Sequence, residues 1–157
     1  MDKVADTQGN RIADHPFLHG INSSFLHILG ETAKFKRYEP GDTIIKEGSD
    51  ADQLYLIHKG SVALEAYLPG KGLTKVQLLG AGESLGCSWL FPPYRWRFTA
   101  RSLDATDATM FDARFLRDCM KANHEFGHEI SMRIGQVLWQ RLQSTRALLV
   151  DIHGVTE

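Results

Sequence analysis

Apolar and polar positions change rhythm twice along the chain, and the changes divide it into three stretches. In HPFLHGINSSFLHILGETAK, from His15 to Lys34, Phe25, Leu26, Ile28 and Leu29 recur at spacings of three and four, with Ser23 or Ser24 placed to cap them. That spacing predicts a short amphipathic helix. Between Phe35 and Phe111 the texture becomes short apolar runs broken by Gly, Pro and Asp. Tyr55, Ile57 and Lys59 alternate with Leu54, Leu56 and His58, and Val62, Leu64 and Ala66 alternate with Ala63, Glu65 and Tyr67, so both runs are predicted strands. Pro69-Gly70-Lys71-Gly72 supplies a hairpin turn between strands. Short strands with no helices between them argue for a closed or sandwiched antiparallel sheet rather than βαβ units.

After Asp112 the pattern turns helical to the end, with no proline beyond Pro93. Ile130, Ile134, Val137, Leu138, Leu142, Thr145 and Leu149 form one stripe, from which Arg133, Gln136, Gln140, Gln143 and Arg146 mostly stand apart. A helix of about 25 residues runs about 38 Å, longer than a small β domain is wide. Its far end needs a partner, and the stripe suits the seam of a two-helix homodimer.

Composition narrows the class. At 157 residues and 43% hydrophobic content, one domain with a sizeable core is expected. Lys and Arg number 18 against 19 Asp and Glu, for a net charge of -1, so no global basic field attracts nucleic acid. No apolar run is long enough to span a membrane. The opening MDKVADTQGNRIAD has mixed charge and no apolar stretch, which reads as a frayed tail over residues 1–14 rather than a signal peptide. A cytoplasmic protein is expected, with Cys87 and Cys119 as free thiols. The expected organisation is that tail, a helix plus β-roll sensor domain over 15–123, and a dimerisation helix over 124–157.

Particular residues carry a family resemblance. The run Tyr38-Glu39-Pro40-Gly41-Asp42-Thr43-Ile44-Ile45-Lys46-Glu47-Gly48 is followed by Asp52-Gln53-Leu54-Tyr55-Leu56-Ile57 and by Lys59-Gly60-Ser61-Val62. Glycines there sit where tight turns separate strands. In this the chain resembles the cyclic nucleotide-binding domain family, shared by catabolite-activator-type bacterial regulators, kinase regulatory subunits and gated channels. The likeness covers nearly the whole chain, roughly residues 16 to 151. It extends to Gly82-Glu83-Ser84-Leu85-Gly86, similar to the start of the family's phosphate-binding cassette, and to Gln140-Arg141-Leu142-Gln143-Ser144-Thr145, similar to the end of its dimer helix. The resemblance implies a mainly β fold with flanking helices, a double-stranded β-helix of jelly-roll type with a long C-terminal helix. It also implies a non-catalytic regulatory module that takes cAMP, cGMP or a related anionic ligand and signals through the dimer helix to a protein partner.

The chemistry of such a cassette is simple. A Gly-Glu step leading into a short helical turn offers backbone N–H groups to a phosphate, the carboxylate accepts from a ribose hydroxyl, and an arginine pairs with the phosphate. The candidates are Gly82, Glu83, Ser84 and Leu85, with Arg95 or Arg97 as the anion's partner, Thr99 beside them, and Thr145 reaching a base across the dimer. One departure stands out: aligning Thr99 with the family's threonine puts Trp96 where the arginine belongs. In a strand, Arg95, Arg97 and Thr99 would share one face, and Trp96, Phe98 and Ala100 the other. The added segment Cys87-Ser88-Trp89-Leu90-Phe91-Pro92-Pro93 can cap a base or fill the pocket. The second reading is therefore a ligand-free dimeric scaffold with a filled pocket.

Two further motifs carry possible chemistry. His124-Glu125-Phe126-Gly127-His128 is a formal HExxH, the zinc-hydrolase spacing, but Ser131 and Ile134 stand where the longer pattern needs Gly and a third His. Two solvated histidines at a helix start are expected, with no metal. Cys87 beside the cassette is expected to be a small buried hydrophobe rather than a haem or redox site. The chain reaches Glu157 a few residues after the long helix with no helix-turn-helix, so direct DNA binding is not expected.

Overall fold

The structure is a computed structural model and describes residues 12–153. Residues 12–14 are helical and Ile12 is buried; the rest of the expected tail lies outside the described residues. The first full helix, α1 (Ser23–Gly30), is capped by Asn22, whose side-chain oxygen accepts from the Ser24 N–H at 2.8 Å and from the Ser24 hydroxyl at 2.7 Å. The cap is thus one residue before Ser23 and two before Ser24, because Asn22 caps as well as Ser and Ser24 serves as its donor.

Seven strands follow: β1 (Lys34–Tyr38), β2 (Thr43–Ile45), β3 (Gln53–Lys59), β4 (Ser61–Leu68), β5 (Gly72–Gly80), β6 (Thr99–Ser102) and β7 (Thr106–Asp112). They form two antiparallel sheets, ordered β1-β7-β3 and β2-β6-β4-β5. This is the expected roll. Its hairpin at 69–71 is closed by the Lys71 N–H donating to the Leu68 carbonyl, with Gly70 and Gly72 at positive φ. Arg37 and Asp107 face each other across β1 and β7 and make a two-pronged ion pair at 2.7 and 3.2 Å. The interior holds Leu54, Leu56, Val62, Leu79, Leu85 and Phe111, each buried. Each such side chain contributes about 1.5–3 kcal/mol by leaving water.

β3 departs from simple alternation, since Leu54, Tyr55, Leu56 and Ile57 are all buried. A strand covered on both faces reads as a continuous apolar run. It passes to β4 of the other sheet through the single residue Gly60, at φ 107.

Helix α2 (Ala113–Ala122) starts where the Asp112 carboxylate accepts from the Phe115 N–H. Helix α3 (His124–His153) is 30 residues long, longer than the stripe alone indicates. Asn123 caps it, its side-chain oxygen accepting from the Phe126 N–H at 3.1 Å. The chain divides into two compact units, 1–119 and 120–157. Within α3, Phe126, Ile130 and Ile134 are buried, whereas Leu138, Trp139, Leu142, Leu149 and Ile152 are exposed. Both cysteines are free thiols. Among the described residues no helix is long and apolar enough to cross a membrane.

A Cβ on Gly60 would lie 2.5–2.7 Å from Thr106 and from the Ala105 carbonyl, at a φ that L side chains rarely adopt. Gly60→Ala is therefore expected to cost at least about 2 kcal/mol, read as a lowered urea midpoint with unchanged slope.

Candidate functional site

The Gly82–Leu85 segment is not a helical turn with amides to offer. The Gly82 N–H donates to the Ile57 carbonyl at 2.9 Å, the Glu83 N–H to Gly80 at 3.2 Å and the Leu85 N–H to Tyr55 at 3.0 Å. In return the Glu83 carbonyl accepts from the Ile57 N–H, and Leu56 and Ser84 form a β-bridge. The segment is an extended piece of chain laid along β3. Its carboxylate turns back on its own loop, Glu83 Oε2 accepting from the Gly80 N–H at 2.7 Å. Ser84 and Leu85 are buried.

The shape that the phosphate chemistry needs lies four residues further on. Gly86, at φ 75, leads into a turn over 87–90 closed by the Leu90 N–H donating to the Cys87 carbonyl. There the residue after the glycine is Cys87 rather than a glutamate. The ground in front of this glycine is occupied: a Cβ on Gly86 would lie 2.7 Å from the Phe98 ring and 3.1 Å from the Trp96 ring. Trp96 is buried, stacks obliquely with Phe98 at 5.6 Å between centroids, and lies 6.2 Å from the Tyr55 ring. Burial holds the Tyr55 hydroxyl well above the ordinary phenol range, with the neighbouring Tyr38 and Asp52 adding to the shift.

Arg95 and Arg97 do not lie in a strand, because β6 begins only at Thr99. The stretch before it pairs with the 48–51 loop: the Gly48 N–H donates to Trp96, the Trp96 N–H to Ser49, and the Ala51 N–H to Tyr94. The buried Trp96 fixes that pairing and sends both neighbouring arginines outward. Arg95 bonds to the Gly48 carbonyl at 3.2 Å and pairs with Asp50 at 3.3 Å. Arg97 is exposed. Thr99 accepts from the Glu47 N–H at 3.1 Å. Thr145 is exposed on α3, and its hydroxyl donates to the Arg141 carbonyl of its own helix at 2.8 Å. The expected cassette residues and arginines are thus held by different partners rather than gathered round one space.

The arginine that does meet the 87–90 turn is Arg117 of α2, which sequence reasoning missed. It donates to the Trp89 carbonyl at 2.6 Å and lies over the Tyr94 ring at 3.9 Å. No local pattern marks a helix arginine for a contact 28 residues away. Trp89 itself is fully buried, and its indole Nε1 has no hydrogen-bond partner among the described residues. An open hollow of about 450 Å³ lies on another side of Trp96, lined by Thr43, Lys46, Ser49, Asp50 and Tyr55 among others. The Gly82–Leu85 residues do not line it. His124, Glu125 and His128 are exposed, and among the described residues no group of three His, Cys, Asp or Glu could hold a metal ion.

Two antiparallel sheets wound over a shared core, a glycine turn packed against aromatic rings and a long helix after the last strand define a double-stranded β-helix of the regulatory β-roll class. The comparisons with known proteins agree. The family model described as the cyclic nucleotide-binding domain matches residues 35–123, and the chain belongs to that family. A CRP-like cAMP-activated global transcriptional regulator of Mycobacterium tuberculosis is 25% identical over 133 residues, 85% of this chain. The chain spans only 58% of that relative's length. Among solved structures, a cyclic nucleotide-binding domain from Methylobacillus flagellatus superposes with a TM-score of 0.82 at 18% identity, covering 98% of this chain and 88% of its own. The regulatory subunit of a cAMP-independent protein kinase A from Trypanosoma brucei gives 0.69 at 19% identity, covering 90% of this chain and 53% of its own.

Removing the Trp96 indole leaves a large void in front of Gly86. Trp96→Ala is expected to destabilise by about 3–5 kcal/mol. Trp89→Phe removes a buried donor that has no partner, so it is expected to cost less than about 1.5 kcal/mol. Denaturation midpoints of the two variants test this ordering.

Proposed function

We propose that this chain is a non-catalytic regulatory module in which aromatic side chains take the place a cyclic nucleotide would fill, and which acts as a homodimer through α3. The observation that carries the first half is the seating of Trp96 and Phe98 against Gly86. An anion entering there meets Cys87 instead of a carboxylate and Trp96 instead of a guanidinium, with Arg95 and Arg97 turned outward. Loss of a charge-assisted pair costs a buried anion about 1.5–3 kcal/mol, on top of displacing two rings.

The second half rests on spacing. Leu138, Leu142, Thr145, Leu149 and Ile152 are all exposed and follow one another at intervals of four, three, four and three. That is a coiled-coil seam with one polar position at Thr145. The signal passes by a shift in how the paired helices present their outer face to a protein partner.

Calorimetric titration with cAMP and with cGMP is expected to give no heat from folded protein. Micromolar binding that disappears in Arg95→Ala or Arg97→Ala would overturn the filled-pocket reading in favour of a nucleotide sensor. Light scattering is expected to give twice the 17.6 kDa chain mass. Leu142→Lys should return the protein to a single chain, and a wild-type monomer at high micromolar concentration would refute the dimer.

A further inference from the structure

His15 is buried, and both of its ring nitrogens are spoken for. Nδ1 accepts from the Phe17 N–H at 3.1 Å, so the proton sits on Nε2, which donates to the Ile57 carbonyl at 2.9 Å. That same carbonyl takes the Gly82 N–H, also at 2.9 Å. The next residue, Pro16, packs on the glycine itself, its Cγ 3.1 Å from where a Gly82 Cβ would be. Residues 15 and 16 therefore cover the Gly82–Leu85 segment and share its principal acceptor. A second proton on Nδ1 would set a donor against the Phe17 N–H and place a cation in a dry site.

We propose that residues 12–20 form a pH-operated latch on the Gly82–Leu85 segment, closed by neutral His15 and released when its imidazole takes a second proton. The proposal concerns the outer edge of β3 and is independent of whether the roll takes a ligand. The titratable groups around the ring are His58 and Glu83. His58, on β3, lies edge-on at 5.3 Å and is bonded to Thr109 of β7 at 2.7 Å. The Glu83 carboxylate is committed to Gly80. Asp14 and His19 are on the latch itself. Burial lowers the affinity of His15 for the second proton below the ordinary value of 6.5, opposed in part by hydrogen bonding to the backbone at Ile57 and Glu83. The unfolded or released segment therefore binds the extra proton first. The latch's contribution is complete above about pH 6.5 and is lost as pH falls toward the lowered value of the closed state.

The test is amide hydrogen exchange, corrected for its intrinsic pH dependence, on uniformly ¹⁵N-labelled full chain. Protection at Phe17 and Gly82 is expected to fall at least about tenfold between about pH 7.5 and about pH 5. His15→Gln, which keeps a donor for Ile57 and cannot titrate, should show no such fall, whereas His58→Gln should retain it. Unchanged protection in the wild type, or the same fall in His15→Gln, overturns the proposal. If His15→Gln does not fold, imidazole ¹⁵N shifts of the wild type decide the matter. They should show the Nε2–H tautomer at neutral pH and a midpoint below 6.5, and an Nδ1–H tautomer or a raised midpoint would overturn it.

Discussion

β3 lies at the edge of its sheet, and it is buried. In the order β1-β7-β3 only one of its sides has a strand beside it, so the carbonyls of Tyr55 and Ile57 and the amide of Ile57 on the other side must find partners away from water. The segment 82–85 supplies them, and this fixes much of what surrounds it. Gly82 is where the chain turns to come alongside. Glu83 is oriented by its own loop, and Ser84 and Leu85 enter the core. The first described residues close over the same edge through the His15 imidazole. The amides of Gly82, Glu83 and Leu85 are already taken by carbonyls of the chain.

That division of labour explains which parts of the molecule were readable from sequence. The strands, the Pro69–Gly72 turn, the roll and a long C-terminal helix rest on local patterns: apolar alternation, glycine at turns, a stripe at helical spacing. All are found. The cap of α1 falls one or two residues before the serines because three adjacent polar residues are chemically equivalent caps. The larger shift, from 82–85 to 86–90, arose because Gly-Glu-Ser-Leu-Gly satisfies a turn pattern in two registers. The choice between them is made by a strand 26 residues earlier. Arg95 and Arg97 were assigned to a strand on a correct alternation of exposed and buried positions. The partners of Arg95, the Gly48 carbonyl and Asp50, lie more than 40 residues away.

The aromatic segment is tied to the rest of the roll by the chain's own side chains. In a site built for an anion, the ligand itself bridges turn and strand. Here the bridging contacts are covalent parts of the chain: rings of Trp96 and Phe98 on Gly86 from one side, and Arg117 reaching from α2 to the Trp89 carbonyl and the Tyr94 face from the other. Such contacts are always at full occupancy and do not depend on any solute concentration.

The three tryptophans are divided between two environments. Trp89 and Trp96 are shut inside the roll, while Trp139 stands 61% exposed on α3, beside the exposed Leu138. Buried indoles emit at shorter wavelengths than hydrated ones. The protein thus carries two separable fluorophores: a short-wavelength pair that reports on the integrity of the roll, and a long-wavelength one that reports on what comes to lie beside the helix.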